Sequence, residues 1–195
     1  MKKTLLTLAL TAVCVGAFAQ GKINMLNDST RAVTWDIAGN LKPADLALAG
    51  TLVNNTGTGA TLLIDLYGGA TAGTMSLQMS TVISAAAGLF GPISFISATL
   101  PGAVTATMQI QVRETGFATA ALSQAGNGYY GFSPIFTFKP SSTIAYNSII
   151  NAGGTALSTW ASAPIVVTAN IVPEPTSMVL AGLGAASLLL FRRRS

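Results

Sequence analysis

Chemistry-bearing side chains are sparse in this chain. Histidine is absent, and the single cysteine is Cys14. Imidazole is the side chain most used for proton transfer near neutral pH, and imidazole and thiolate are the common metal ligands. Between the two chain ends stand five carboxylates, Asp28, Asp36, Asp45, Asp65 and Glu114, against five cations, Lys22, Arg31, Lys42, Arg113 and Lys139. Two carboxylates across one cleft would serve glycoside hydrolysis, and a serine beside Lys22, Lys42 or Lys139 would serve acyl transfer. Neither a Gly-x-Ser-x-Gly elbow nor a Ser-x-x-Lys motif marks such a pair. No Asp-rich calcium loop and no phosphate-binding glycine loop is present either. The expectation is a body that is not an enzyme and holds no metal or cofactor. Two short patterns do have the spacing of a processing substrate. They are Ala17-Phe18-Ala19 before Gln20, and Pro173-Glu174-Pro175 before an apolar run and Arg192-Arg193-Arg194.

The first pattern closes residues 1–19, where Lys2 and Lys3 precede an uncharged apolar stretch. Charge, apolar run and small residues, in that order, make a secretory signal peptide. The apolar stretch is shorter than the ~20 residues a membrane span needs. A lipoprotein site at Cys14 would place bulky Val13 where a small residue is wanted. Cleavage by signal peptidase between Ala19 and Gln20 is therefore expected, leaving a mature chain without a thiol.

The second pattern occupies residues 172–195. Sixteen uncharged residues, 176–191, lie between Pro175 and Arg192. As a helix at ~1.5 Å per residue they span about 24 Å, against a hydrocarbon core of ~30 Å. Such a single transmembrane helix crosses only with bilayer thinning or snorkelling arginines. The arginines would hold the C-terminus in the cytoplasm, with the body outside. Prolines on both sides of Glu174 keep that segment extended and out of the helix. A permanent anchor and a removable tail both fit this pattern.

The order of motif, short apolar span and arginine cluster resembles the PEP-CTERM sorting signal. That resemblance implies handling by exosortase, a membrane-embedded sorting enzyme of cysteine-protease type in Gram-negative bacteria that make exopolysaccharide. It assigns recognition to Pro173, Glu174 and Pro175, and the cytoplasmic stop to Arg192, Arg193 and Arg194. It further implies a transient stay in the inner membrane, then the cell surface or extracellular matrix, where exopolysaccharide is a candidate partner. Within the body, Gly21-Lys22-Ile23-Asn24, Ile64-Asp65-Leu66-Tyr67-Gly68-Gly69, Gln111-Val112-Arg113 and Gly131-Phe132-Ser133-Pro134-Ile135-Phe136-Thr137 resemble short all-β PEP-CTERM proteins of environmental bacteria. That family has no assigned activity, so it contributes no site residues.

The elements that position these residues follow from pattern. The chain has 195 residues, of which 8% are charged, and the net charge of +4 comes from its ends. A neutral body without clustered Lys and Arg excludes a nucleic-acid surface. Residues 20–171 are enough for one domain. Apolar runs alternate with Gly, Pro, Asn and Ser clusters, predicting strands over 60–67, 93–100, 103–113, 130–139 and 165–172. Weaker strand candidates are 23–26, 33–37, 46–54 and 75–83. In the third run Val104, Ala106, Met108, Ile110 and Val112 share one parity and polar residues the other, as in a half-buried strand. Residues 54–57, Gly68-Gly69, Pro101-Gly102 and Gly126-Asn127-Gly128 read as turns. Residues 81–87 and 117–125 read as short helices, the second capped by Gly126. The expected fold is all-β, an antiparallel β-sandwich or jelly-roll-like body. Asp65 interrupts an apolar run, and an ion pair to Arg113 is its expected partner. Trp35, Trp160, Tyr67, Tyr129, Tyr130 and Tyr146 are the aromatic candidates for stacking on a glycan, with core packing as the competing fate.

Overall fold

In the computed structural model the structure describes residues 20–55, 61–84, 86–150, 157–170 and Leu183. The expected signal peptide and transmembrane helix, the Pro-Glu-Pro segment and the arginine cluster lie outside the described residues, Leu183 excepted. The described chain is strand-rich. In order, β1 is Gln20–Met25, β2 Val33–Trp35, β3 Leu62–Gly69, β4 Ser76–Val82 and β5 Ile93–Pro101. β6 (Ala106–Glu114), β7 (Tyr129–Phe132), β8 (Phe136–Phe138), β9 (Asn147–Ser148) and β10 (Ile165–Ala169) follow. One short helix, Ala120–Ala125, precedes β7.

The strands form two mixed sheets. A three-stranded sheet runs β5-β1-β9, and a seven-stranded sheet runs β2-β10-β7-β6-β3-β4 with β8 also on β6. Most pairs are antiparallel, but β1 with β9 and β10 with β2 are parallel. The all-β expectation therefore holds for the body, whereas the wholly antiparallel pairing does not. Among the described residues neither sheet closes into a true sandwich or jelly roll.

β6 shows why these residues make a sheet. Ala106, Met108, Ile110 and Val112 are buried, while Thr107, Gln109, Gln111 and Arg113 face the wetter side. The period of two sets one apolar face inward, as the sequence predicts. The strand starts later than its parity run, because Gly102 and Ala103 form a turn with Ala103 at φ 63° and leave Val104 exposed. One core joins both sheets: Ile23, Met25, Phe95 and Leu100 from the small sheet meet Ile64, Leu66, Met108 and Phe138 from the large one. Each such side chain, fully buried, contributes about 1.5–3 kcal/mol.

Three sequence expectations change in the structure. Residues 46–54 form no strand; Pro43 starts a 3-10 turn, Pro43–Leu48, and only Leu52 bridges to Thr34. The described residues of 81–87 form no helix, because β4 continues through Val82. Gly68-Gly69 is not a turn but the end of β3. A side chain on Gly69 would stand 2.5 Å from the Thr74 carbonyl oxygen, so glycine is there for close backbone approach. The helix before Gly126 is present. Thr119 caps it by accepting from Leu122 N–H, and Gly126 N–H donates to the Leu122 carbonyl.

Candidate functional site

The densest polar cluster of the body is built around Tyr129, at the start of β7. Three elements meet there. Glu114 ends β6, and the 3-10 turn brings Asp45, with Lys42 just before it. The short helix places Ser123 beneath, where its hydroxyl donates to the Tyr129 carbonyl at 2.6 Å. Lys42 Nζ is 2.8 Å from Glu114 Oε2 and lies 4.7 Å from the centre of the Tyr129 ring. The same Glu114 oxygen accepts from Tyr129 N–H at 3.1 Å. At the other end of the ring, the Tyr129 hydroxyl donates to Asp45 Oδ2 and accepts from Lys42 N–H. Burial, followed by the hydrogen bond to Asp45, pushes the Tyr129 phenol well above its usual value, so it stays a donor. Asp45 and Glu114 are thus the two carboxylates that the fold joins in one network, each already held by a structural partner. Sequence pattern gave no sign of this, since Lys42 lies 72 residues from Glu114 and 87 from Tyr129.

The other carboxylates have separate partners. Asp65 is fully buried, and its Oδ2 meets Arg113 Nε at 2.6 Å, the pair expected from the sequence. Ser80 of β4 donates to Asp65 Oδ1, and Arg113 Nη1 donates to the Phe117 carbonyl at 2.6 Å. Asp28 is pulled upward by partial burial. The Thr30 hydroxyl, the Arg31 charge and two backbone N–H groups outweigh that and hold it below its ordinary value. Asp36 is lowered by hydrogen bonds from Ala38 N–H and Asn40. Of the three lysines considered as bases, Lys42 is paired with Glu114, and Lys22 donates to the Thr143 carbonyl. Asn27, in a glycosylation-type triplet, is buried and donates to the Arg31 and Gly88 carbonyls.

The aromatic candidates divide by environment. Trp35, Tyr129 and Trp160 are buried in the core. Trp35 meets Tyr129 edge-on at 4.8 Å, and Trp160 stacks on Phe136 at 5.2 Å. Tyr130 is half-buried on β7, 6.0 Å from Phe132 with the rings tilted by 55°. Tyr67 is half-buried on β3, and Tyr146 is 39% exposed on a separate loop. A cleft of about 340 Å³ opens where β3 and β5 end and β6 begins, lined by Gly68, Gly69, Thr74, Ser76, Thr99 and Thr105 among others. Its lining carries no charged and no aromatic side chain.

The remaining candidates are terminal. Gln20 is exposed at the start of β1, while Ala19 and the six tail residues lie outside the described set. Residues 172–194 match the family model for the PEP-CTERM protein-sorting motif. The chain carries a PEP-CTERM sorting signal. That stretch contains Pro173, Glu174, Pro175, Arg192, Arg193 and Arg194, and the described body preceding it is mostly strand. The motif supports sorting to the cell surface through an exosortase-type system. Neither the curated proteins nor the solved structures compared with this chain give a match. No described helix is long and apolar enough to cross a membrane.

Proposed function

We propose that this PEP-CTERM protein is a non-enzymatic structural or adhesive component of the cell surface or exopolysaccharide matrix. In this scheme signal peptidase releases Gln20 and the body leaves the cytoplasm. The short apolar tail holds the chain in the inner membrane until an exosortase-type enzyme acts near Pro173-Glu174-Pro175. The sorting motif at residues 172–194 is the observation that carries the proposal. The body supports it through its engaged carboxylates and its neutral charge, which suit a scaffold better than a reaction centre.

The test changes the motif alone. Replacing Pro173, Glu174 and Pro175 with alanine should leave export intact and trap unprocessed protein in the inner membrane of a host carrying the sorting enzyme. Normal surface delivery of that variant would reject the assignment. A second reading, glycan binding, rests on Tyr130 and Phe132, which stand together on the outer side of β7. Tyr130→Ala with Phe132→Ala should then weaken retention on the host's exopolysaccharide, and unchanged retention counts against it.

A further inference from the structure

Two turns stand side by side at one end of the seven-stranded sheet. Residues 36–40 follow β2, and the 3-10 turn Pro43–Leu48 comes next. Both are fixed to the body. Asp36 N–H donates to the Val167 carbonyl, Gly50 N–H to the Trp35 carbonyl, and the Tyr129 hydroxyl to Asp45. The outer side of these turns is apolar: Ile37 is 86% exposed and Leu46 51% exposed. A Cβ on Gly50 would lie 3.5 Å from Ile37, and one on Gly39 4.0 Å from Leu46, so the two side chains crown one projection. Pro43, Ala44 and Ala47 beside them are exposed as well. The charged residues of the projection are all engaged. Asp36 accepts from Ala38 N–H and the Asn40 amide, Asp45 holds Tyr129, and Lys42 pairs with Glu114. Turn tips ordinarily carry polar residues, and exposed apolar side chains that cluster, rather than scatter, mark a contact surface.

The projection sits where the tail leaves the body. β10 ends at Ala169, whose N–H donates to the Asn40 carbonyl at 2.7 Å. The Thr168 hydroxyl donates to the same oxygen at 3.0 Å. Asn40 is only three residues from Ile37. Residues 170–175 alone separate β10 from the uncharged run that starts at Thr176. Fully extended, such a linker spans at most about 22 Å, less than the ~30 Å length of a strand such as β6. A chain held by that run therefore keeps this end of the sheet nearest the bilayer. Ile144, 91% exposed, belongs to the other end. Its loop packs just before β6 begins, where Ala103 N–H donates to the Pro140 carbonyl, whereas Lys42 meets Glu114 where β6 finishes.

We infer that the projection carrying Ile37 and Leu46 docks on the lipid surface while the tail is in the membrane. Its side chains enter the boundary between headgroups and acyl chains. The inference rests on the reading that residues 176–191 hold the chain in the membrane before processing. Lipid is the occupant because the short linker keeps it within reach, and because the tip offers apolar groups with every charge already paired. Two such side chains hold a bilayer weakly alone, but the tether makes their contact intramolecular and raises their effective concentration. Removal of the tail ends that advantage, and the docked body is released.

The test uses the chain exported by a host without the sorting enzyme, tail retained, in phosphatidylethanolamine–phosphatidylglycerol vesicles. In a Cys14→Ser background, a polarity-sensitive fluorophore is attached at Ile37→Cys or at Ile144→Cys. Quenching by bromines in the lipid acyl chains is expected at position 37 and not at 144, and Leu46→Glu should remove most of it. Equal quenching at the two positions overturns the inference. So does quenching at 37 that Leu46→Glu leaves unchanged in a chain with unaltered circular dichroism. A label at 37 shielded from aqueous iodide but unreached by the bromines puts a protein on the tip, and rejects lipid. Flotation separates the two levels of the claim. A chain that does not float with the vesicles refutes the membrane-held tail and the docking with it, whereas a floating chain with an unquenched label refutes the docking alone.

Discussion

Asp65 and Arg113 form the body's most consequential residue pair. A carboxylate with no exposure is tolerable only because a guanidinium and a serine hydroxyl replace water around it. Arg113→Met should therefore cost about 3–5 kcal/mol in urea unfolding, since it strands a buried charge. The double change Asp65→Leu with Arg113→Met should recover most of that loss. If the single and double variants unfold alike, the pair is not coupled. Acid sensitivity belongs to the same scale. Asp28 and Asp36 have folded-state values below their unfolded ones, so their contribution is complete above the ordinary aspartate range. It disappears as pH falls through the depressed values. Asp28→Asn should flatten the acid limb of a stability-versus-pH curve, and an unchanged limb would assign it to other groups.

At the scale of elements, close backbone approach governs where strands can meet. Gly131 lies between β6 and β10, and a side chain there would stand 2.6 Å from the Val166 carbonyl oxygen. Gly131→Ala should therefore lower stability by about 1–3 kcal/mol through overpacking against a backbone that cannot rotate away. Hydrogen exchange would show the loss as faster exchange across β7 and β10 first. The parity of β6 and the cap at Gly126 were legible in the sequence because both are local. The break of residues 130–139 into β7 and β8 was not. There both pieces pair with β6, and Ser133 Oγ takes Ile110 N–H at 2.9 Å where the ladder lapses. A serine replacing a strand partner leaves no periodic trace. The same holds for parallel β9 and for the Lys42–Glu114–Tyr129 cluster, which exist only through contacts distant in sequence. Asp65 with Arg113 could be anticipated because one charge interrupting an apolar run demands a partner.

For the whole molecule, the body and the ends divide the work. The ten described strands hold a neutral body together through one apolar core, while residues 172–194 carry the sorting motif. The sorting motif was the most readable feature of the chain, since recognition by another enzyme has to be written in contiguous residues. The proposed cell-surface role rests on that motif being used and then removed. Intact-mass analysis of protein recovered from the cell surface of a host with the sorting enzyme tests this most directly. A mature chain beginning at Gln20 and lacking Arg192, Arg193, Arg194 and Ser195 is the predicted result; surface protein that still ends in Ser195 would contradict it and make the tail a permanent anchor.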